Sequence, residues 1–424
     1  MAQQRTKRAP AVTRRERAAL VGLIAGRARR LEAERSLDEL AGLAEAAGAE
    51  VVLRVLQERP KPDPSTFLGA GKIEMLAVSA SETGVDVVIF DNELTPAQLR
   101  QIEEEVGRKI VDRTQLILDI FARRARTREG KLQVELAQLK YLLPRLVGAG
   151  DALSRLGGGI GTRGPGETKL ETDRRRIRTR IHAISDDIEQ VRKRRSQLRE
   201  RRRKSSVPTV ALVGYTNAGK TTLFNRLTRA DAEASNALFV TLDPLVRQVR
   251  LPDSRELLMS DTVGFIDRLP HALVAAFRAT LEETSDAELV LHVIDAAAPD
   301  RDRRMNAVHQ VLDEVGASNV ALVEVYNKCD ALTPDERRRL HELDPSALCI
   351  SALTGQGIDE LVETITSRLA LDVRRVTLTF NPDDPADRER IARVYRHGRV
   401  VSHETRDGRA AIVVDIPRRL LNRV

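Results

Sequence analysis

The sequence predicts an α/β protein whose largest domain contains a mostly parallel sheet with one antiparallel edge strand. Three observations lead to this fold class. Strand and helix patterns alternate over residues 51–111 and again over residues 209–370, which is typical of parallel sheets covered by helices. Between them lie two helical stretches with apolar residues at spacings of four and three. The 424-residue length suits about three domains.

The first 35 residues are expected to form a basic arm, mobile or marginally helical. Residues 1–30 carry nine lysines and arginines against the single acid Glu16. The predicted divisions are a basic arm (1–35), an N-terminal α/β domain (36–115), a helical hairpin with a glycine-rich loop (116–206), the main domain (207–371) and a small α/β C-terminal domain (372–424). The predicted flanking elements are strands at 51–57, 86–90, 109–111, 376–380 and 411–416, and helices at 71–82, 95–106 and 386–396.

The predicted hairpin has two long antiparallel helices that pack through one apolar seam. Residues 174–204 of its second helix carry fourteen basic and four acidic residues, a net charge of +10. The seam residues are Leu132, Leu136, Leu139, Leu143 and Leu146 in the first helix and Ile177, Ile181, Ile184, Ile188 and Val191 in the second, with Leu198 one heptad further. Because the whole chain has a net charge of only +8, the basic segments are the candidate contacts with a polyanion.

The connection between the two helices, residues 156–169, contains six glycines and a proline, so no helix is expected there. Glycine-rich backbone can lie flat against phosphates while Arg163 and Lys169 supply positive charge, which favours contact with phosphate or RNA. A plain flexible linker is the alternative. The candidate RNA-binding residues are Arg163, Lys169, Arg174, Arg175 and Arg176.

A phosphate-binding loop is predicted at residues 214–221. An apolar strand precedes this G-x-x-x-x-G-K-[ST] motif and a helical pattern follows it, which is the context that the motif requires. Lys220 is positioned for the β- and γ-phosphates, and the Thr221 hydroxyl for Mg²⁺. The predicted contacts in this loop are Gly214, Tyr215, Thr216, Asn217, Ala218, Gly219, Lys220, Thr221 and Thr222.

Two further segments are predicted to meet the metal and the γ-phosphate. Asp261 opens a D-x-x-G sequence at the end of an apolar strand, where its carboxylate can hold Mg²⁺ through water and the Gly264 N–H can contact the γ-phosphate. Thr241 is the candidate switch threonine. The predicted metal ligands are Thr221, Thr241 and Asp261, and the predicted catalytic residues are Lys220, Thr241 and Gly264. The further nucleotide contacts are Phe239, Val240, Thr241, Leu242, Asp243, Asp261, Thr262, Val263 and Gly264.

A third group of residues predicts that the base is guanine. The Asp330 carboxylate can accept from guanine N1–H and the exocyclic amine, and Lys328 can cover the ring. Adenine would place a lone pair against the same carboxylate. The Ala352 N–H is expected to contact guanine O6. The predicted base contacts are Asn327, Lys328, Cys329, Asp330, Ser351, Ala352 and Leu353. Phosphate, metal and base contacts in this order predict a P-loop GTPase domain.

Phe265 departs from the common pattern, in which a glutamine after D-x-x-G orients the attacking water. Slow hydrolysis without a partner is therefore expected, with stimulation by an external partner worth about 10³–10⁵ in rate. Alternatively, Phe265 packs into the core of the switch and another group positions the water.

Several other classes of site are not expected. There is no run of 18 apolar residues and no secretion signal, which favours a cytoplasmic protein without a membrane span; a monomer is expected. Cys329 and Cys349 are the only cysteines, and no histidine lies at ligand spacing from either, so neither a disulfide framework nor a zinc site is predicted. Twelve Phe and Tyr and no Trp favour recognition of folded nucleic acid by shape rather than by base stacking.

These motifs resemble those of the HflX family, ribosome-associated GTPases of the same larger group as Obg. The resemblance covers about residues 50–370 and rests on the phosphate loop, Leu-Phe-Val-Thr-Leu-Asp-Pro at 238–244, Asp-Thr-Val-Gly-Phe-Ile at 261–266 and the glycine-rich stretch continuing through Asp-Arg-Arg at 173–175. Gly-Ala-Gly-Lys at 69–72 also resembles the family's N-terminal signature.

The resemblance implies that the chain binds the large ribosomal subunit and its 23S rRNA. It further implies that the N-terminal domain and the hairpin approach the peptidyl-transferase region, and that the GTP-bound state separates 70S ribosomes. A hydrophobic residue after D-x-x-G is also usual in the family. Three alternatives stay open: an assembly or hibernation factor whose docking splits nothing, a protein-interaction regulator that uses the hairpin, and a second nucleotide site, for ATP, in the glycine-rich basic loops.

Overall fold

The computed structural model of the chain describes residues 14–25, 30–146, 165–204, 207–230, 238–239, 245–251, 256–268, 283–345, 347–371, 373–406 and 408–423. The chain forms two compact units. The first comprises Met1–Gln197, Ser235–Asp243 and Arg268–Ala279, and the second comprises Leu198–Ala234, Pro244–Asp267 and Thr280–Val424. Among the described residues, no helix is both long and apolar enough to cross a membrane.

The first unit contains a small parallel α/β domain, as predicted. Its strands are β1 (Arg17–Ala25), β2 (Glu50–Arg59), β3 (Val87–Phe90) and β4 (Lys109–Asp112), and its helices are α1 (Arg30–Ala46), α2 (Ala70–Glu82), α3 (Pro96–Val106) and α4 (Arg113–Arg124). The strands pair in the order β2-β1-β3-β4, and every pair is parallel. Thr95 caps α3 in a capping box with Gln98, which confirms the helix start predicted from the Thr-Pro pair.

The prediction of a basic arm over residues 1–35 is wrong for residues 17–25 and 30–35, which form β1 and the start of α1. Residues 1–13 and 26–29 of the predicted arm lie outside the described residues. Strand β1 lies inside the sheet, between β2 and β3, and Ala18, Leu20 and Val21 are fully buried. Helix α1 already begins at Arg30. The count of arginines in this region drew attention away from the nine-residue segment Arg17–Ala25, which is apolar from Ala18 onward. Burial of that segment on both faces of the sheet stabilises the strand despite the charges on either side.

The helical hairpin consists of α5 (Arg128–Arg145) and α6 (Pro165–Lys204). Glu135 accepts two hydrogen bonds from Arg180, at 2.7 and 2.9 Å, and Glu129 accepts one from Arg195 at 3.0 Å. Since the pairing partners run in opposite directions, the antiparallel arrangement is confirmed. The 40 residues of α6 reach about 60 Å at 1.5 Å per residue.

The seam follows the predicted spacing in α6 but not in α5. Ile184 is buried, and Ile177, Ile181, Ile188 and Val191 are half-buried. The side chain of Leu198, the sixth predicted seam residue of α6, is not described. In α5 only Leu132 of the five predicted leucines is buried, while Val134, Ala137 and Tyr141 are buried on a second face. Because α5 also packs against α4, its most buried face is not the leucine stripe.

The expectation of no helix over 156–169 is wrong for its last five residues, since α6 begins at Pro165. Proline suits the first position of a helix because its fixed φ is helical and its missing N–H would have no partner there. Residues 156–164, including Arg163, lie outside the described residues, and the side chain of Lys169 is not described.

The second unit has the predicted mostly parallel sheet with one antiparallel edge strand. Its strands are β5 (Thr209–Val213), β6 (Leu245–Arg250), β7 (Glu256–Asp261), β8 (Leu289–Asp295), β9 (Ala321–Asn327) and β10 (Leu348–Cys349), and its helices are α7 (Lys220–Thr228), α8 (Arg301–Glu314), α9 (Pro334–Leu343) and α10 (Ile358–Arg368). The order is β10-β9-β8-β5-β7-β6, and only β6 runs antiparallel to its neighbour. The carboxyl ends of β5, β7, β8 and β9 therefore meet at one edge.

The C-terminal region contains α11 and a three-stranded antiparallel sheet in the order β11-β13-β12. The two predicted strands and the helix are present, but a third strand was missed. Its sequence, Arg-Val-Val-Ser-His-Glu-Thr-Arg, is largely polar and has no regular apolar alternation. The elements are β11 (Val373–Phe380), α11 (Pro385–His397), β12 (Arg399–Arg406) and β13 (Arg409–Pro417).

Candidate guanine-nucleotide site

The phosphate loop connects β5 to α7 and depends on two glycines. Gly214 has φ of +152°, and a Cβ there would lie 2.2 Å from the Val293 carbonyl oxygen. Gly219 has φ of +92°, and its Cβ would lie 2.2 Å from Asn327 Nδ2. Larger residues would collide at both positions, so the loop can stay close to β8 and β9 only with glycine. Helix α7 starts immediately afterwards and directs its N-terminal N–H groups towards the loop.

Lys220 is buried inside this loop. Its ammonium group donates to the carbonyl oxygens of Gly214 and Tyr215, each at 3.0 Å. Burial lowers the pKa of Lys220 to about 8, and the nearby Asp261 carboxylate opposes that shift. A phosphate bound in the loop would provide a second anionic partner and favour the charged form.

Thr221 and Asp261 meet at the predicted metal position. The Thr221 hydroxyl donates to Asp261 Oδ2 at 2.8 Å, and Asp261 is fully buried at the end of β7. A hydroxyl and a carboxylate supply the oxygen ligands that Mg²⁺ prefers. These two residues fit the ion, whereas Thr241, the third predicted ligand, lies outside the described residues together with Val240, Leu242 and Asp243.

The D-x-x-G segment is hydrogen-bonded to the phosphate loop. Thr216 N–H donates to the Phe265 carbonyl at 2.6 Å, and Phe265 N–H donates to the Gly214 carbonyl at 3.1 Å. A Cβ on Gly264 would lie 2.9 Å from Thr216 Cα and 3.1 Å from Lys220 Nζ. This close approach explains why glycine occupies position 264, and it places the segment against Thr216 and Lys220 of the predicted phosphate loop.

The side chains of Thr262, Val263 and Phe265 have structural contacts. Thr262 donates its hydroxyl to the Leu212 carbonyl at 2.6 Å, and Val263 is buried. Phe265 is 2% exposed. The expectation that Phe265 packs into the core of the switch therefore agrees with the structure, and this side chain offers no group that could orient water.

Asn327 connects the base-recognition segments. Its Nδ2 donates to the Ala218 carbonyl at 2.8 Å, and its Oδ1 accepts from the Ala352 N–H at 2.9 Å. The Ala352 N–H, which is predicted to contact guanine O6, donates to Asn327 Oδ1 in this structure, and its contact with a base stays a prediction. Asn327 therefore joins the phosphate loop to the segment that contains Ala352, and its contact with the base stays a prediction. Leu353 is 73% exposed.

Lys328 and Asp330 lie on the turn after β9. Lys328 has a left-handed backbone, φ +64°, and its ammonium contacts Asp295 Oδ2 at 2.8 Å. Asp330 is exposed and free to face a base, whereas Cys329 between them is buried. Ser351 is buried and its hydroxyl accepts from the Thr354 N–H at 3.1 Å. Sequence reasoning missed Asp295, although its place at the carboxyl end of β8, like that of Asp261 on β7, was a usable signal.

Phe239, another predicted nucleotide contact, belongs to the first unit. Its side chain is buried within the first unit, where its ring lies edge-to-face on Phe121 with centroids 4.6 Å apart. A large apolar ring gains more by burial than by exposure beside phosphates. The contact of Phe239 with the nucleotide stays a prediction. Among the candidate RNA contacts, Arg174 is half-buried, whereas Arg175 and Arg176 are exposed on α6.

Three sequence-family profiles match the chain. They are a "GTP-binding GTPase N-terminal" profile at residues 34–122, a "GTP-binding GTPase Middle Region" profile at 124–202 and a "50S ribosome-binding GTPase" profile at 209–328. Among solved structures, a GTP-binding protein from Sulfolobus solfataricus in complex with GDP is 24% identical, with a TM-score of 0.44 over 84% of this chain and 98% of that one.

Curated relatives match over most of their lengths. GTPase HflX of Caldanaerobacter subterraneus is 50% identical over 86% of this chain and 83% of its own. GTPase HflX of Escherichia coli K12 is 49% identical over 84% of each chain, and that of Magnetococcus marinus is 43% identical over 96% and 94%. Identity of this extent, together with the P-loop site, shows that the chain belongs to the HflX family of ribosome-associated GTPases and hydrolyses GTP.

Proposed function

We propose that this GTPase docks on the large ribosomal subunit, contacts 23S rRNA, and in its GTP-bound state separates 70S ribosomes into subunits. It would act in the cytoplasm as a monomer, and the ribosome would stimulate its hydrolysis of GTP. The description of the profile that matches residues 209–328, a 50S ribosome-binding GTPase, supports docking on that subunit.

The observation that carries the rRNA contact is the charge of α6. Residues 174–204 have a net charge of +10, and Arg175, Arg176 and Arg178 lie exposed on the helix. The acidic partners within the hairpin, Glu129 and Glu135, neutralise only a small part of this charge. An exposed basic helix binds the phosphate backbone through charge and release of counterions, without the need for aromatic stacking.

In the nucleotide site, we assign Lys220 to the β- and γ-phosphates and Asp330 to the guanine edge. Thr221, Thr241 and Asp261 would hold Mg²⁺, which would neutralise charge on the phosphates. The Gly264 N–H would contact the γ-phosphate, so that the D-x-x-G segment, hydrogen-bonded to the phosphate loop, responds to its presence. Because Phe265 cannot orient water, the ribosome would supply or position the missing group.

Sucrose-gradient profiles of 70S ribosomes test the splitting. The full chain with a non-hydrolysable GTP analogue is expected to increase free subunits, and the chain with GDP is not. Binding to the 50S subunit without any increase would favour the assembly or hibernation role and contradict splitting.

The rRNA contact is tested with the double variant Arg175→Glu/Arg176→Glu on α6. Its control is Arg338→Glu/Arg339→Glu, which makes the same charge change at exposed positions of α9. The α6 variant is expected to lose 50S binding while keeping GDP affinity, and the control is expected to keep both. Equal loss in the two variants would show that only net charge matters, and no loss in either would remove α6 from the interface.

A further inference from the structure

Three potential metal-binding side chains converge in the second unit. His292 lies in β8, Glu324 in β9 and His309 in α8, and one potential ligand atom from each lies within 4.8 Å of the other two. His292 and Glu324 are direct partners in the parallel pairing of β8 with β9, which places both on one face of the sheet. Helix α8 brings His309 onto that face, with its ring centroid 5.2 Å from that of His292.

His292 has no ordinary structural role that accounts for it. It is 1% exposed, and its Nδ1 has no hydrogen-bond partner within the described part of the chain. A buried polar nitrogen without a partner is costly unless something binds it. Burial, with smaller effects from His309 and Lys220, lowers the pKa of His292 to about 3, so the ring is neutral and keeps a nitrogen lone pair.

The other two ligands are accessible and partly oriented. His309 Nε2 lies 3.6 Å from Glu324 Oε1, and the His309 side chain is 43% exposed. Tyr326 donates its hydroxyl to Glu324 Oε2 at 3.1 Å, which fixes the carboxylate and leaves Oε1 towards His309. Hydrogen bonds of this kind orient ligands in metal sites. The exposed side of the cluster gives an ion a path from solvent and leaves a coordination position for water.

We propose that His292, His309 and Glu324 form a binding site for a divalent transition-metal ion, with Zn²⁺ the best fit. Two imidazoles and one carboxylate are a typical zinc donor set, whereas Mg²⁺ prefers oxygen ligands alone. Tetrahedral zinc ligands lie about 3.3 Å apart, so binding would need the half-buried His309 and Glu324 side chains to move closer to His292. The expectation that this chain has no zinc site is thereby replaced, because that expectation considered only histidine and cysteine spacing along the sequence.

The ion would join β8, β9 and α8. The same two strands end at Asp295 and Asn327, which hold the base-recognition segments in place. Because the ion binds only the folded arrangement of three separate elements, it should raise the melting temperature of the protein in proportion to its affinity and concentration.

The test uses the full chain, without a histidine tag, depleted of metal by a chelator and then saturated with Mg²⁺ and GDP so that the phosphate site is occupied. Zn²⁺ is titrated by calorimetry, and Co²⁺ is followed by its visible absorption. We expect one equivalent of Zn²⁺, a tetrahedral or five-coordinate Co²⁺ spectrum and a rise in melting temperature.

His309→Ala and Glu324→Gln should each weaken binding of Zn²⁺ at least tenfold, and His341→Ala, which removes an exposed histidine of α9, should not. Because positions 309 and 324 are not in the buried core, both variants are expected to fold. Unchanged GDP affinity and an unchanged circular dichroism spectrum would verify this. Failure of the wild-type chain to bind Zn²⁺ would overturn the proposal. Zn²⁺ binding that both His309→Ala and Glu324→Gln retain would also overturn it. The same holds if Zn²⁺ binding is retained in these two variants and lost in Cys349→Ser.

Discussion

At the residue scale, the proposed nucleotide site depends on two charged side chains in opposite environments. Lys220 is buried, and its ammonium group donates to two carbonyl oxygens and interacts electrostatically with Asp261. Asp330 is exposed on the turn after β9. The Lys220 ammonium group is suited to bind an anion, and the Asp330 carboxylate is suited to accept hydrogen bonds. Both roles follow from the motifs in the sequence, whereas the depressed pKa of Lys220 depends on burial that only the fold reveals.

Binding of GDP is expected to take up a proton at alkaline pH. The pKa of Lys220 in the free protein is about 8, so the group is charged at pH 7 and mostly neutral at pH 9. Bound phosphates favour the charged form, and affinity should therefore fall as pH rises above 8, by up to about tenfold per unit. Calorimetry in buffers of different ionisation enthalpy measures the uptake directly. Binding at pH 8.5 that involves no proton would contradict this assignment.

Asp330→Asn is expected to weaken guanine binding and improve xanthine binding. An amide offers one acceptor and one donor, so it can no longer accept two protons from guanine but can donate to the xanthine carbonyl at the same position. We expect a loss of about 2–3 kcal/mol for GDP. Competition between GDP and xanthosine diphosphate measures it, with Asp335→Asn, an exposed acid on α9, as the control. Unchanged base preference would remove Asp330 from base recognition.

At the scale of elements, the D-x-x-G segment and the phosphate loop act as one unit. Two backbone hydrogen bonds join Phe265 to Gly214 and Thr216, and Gly264 fits only without a side chain. We therefore expect movement at the γ-phosphate to be transmitted through this segment as far as Asp267.

Gly264→Ala is expected to separate the GDP state from the GTP state. The added Cβ would meet Thr216 Cα at 2.9 Å, and the segment must move away from the phosphate loop. GDP affinity should stay within a few-fold of wild type, whereas ribosome binding with a non-hydrolysable GTP analogue should be lost. Calorimetry and co-sedimentation with 50S subunits measure the two effects. A variant that still binds ribosomes in the GTP state would refute the coupling.

The helical hairpin is held more by its seam than by its surface ion pairs. Ile184 is 1% exposed, and Ile184→Ala should lower the free energy of unfolding of this region by about 2 kcal/mol or more. The neighbouring Ser185 is exposed, and Ser185→Ala should change the free energy of unfolding of this region by less than about 0.5 kcal/mol. Hydrogen exchange in α5 and α6 measures the difference, and equal exchange in the two variants would mean that Ile184 does not stabilise the hairpin.

At the scale of the whole molecule, local patterns predicted most of the second unit and only part of the first. The phosphate loop, the parallel sheet and its antiparallel edge all have short sequence signals, and the structure contains them. Strand β1 was missed because the prediction for residues 1–35 was based on their high arginine content and not on the apolar residues between the arginines. The His292, His309 and Glu324 cluster was invisible because strand register and helix packing, not spacing along the chain, bring those residues together.

The measurement that tests the central claim most directly is the rate of GTP hydrolysis by the full chain with and without purified 50S subunits. Phe265 is buried and cannot orient water, so hydrolysis should be slow for the free protein and about 10³-fold or more faster on the ribosome. The α6 variant Arg175→Glu/Arg176→Glu should keep the slow rate and lose the stimulation. A fast rate without ribosomes, or a rate that 50S subunits leave unchanged, would contradict the account.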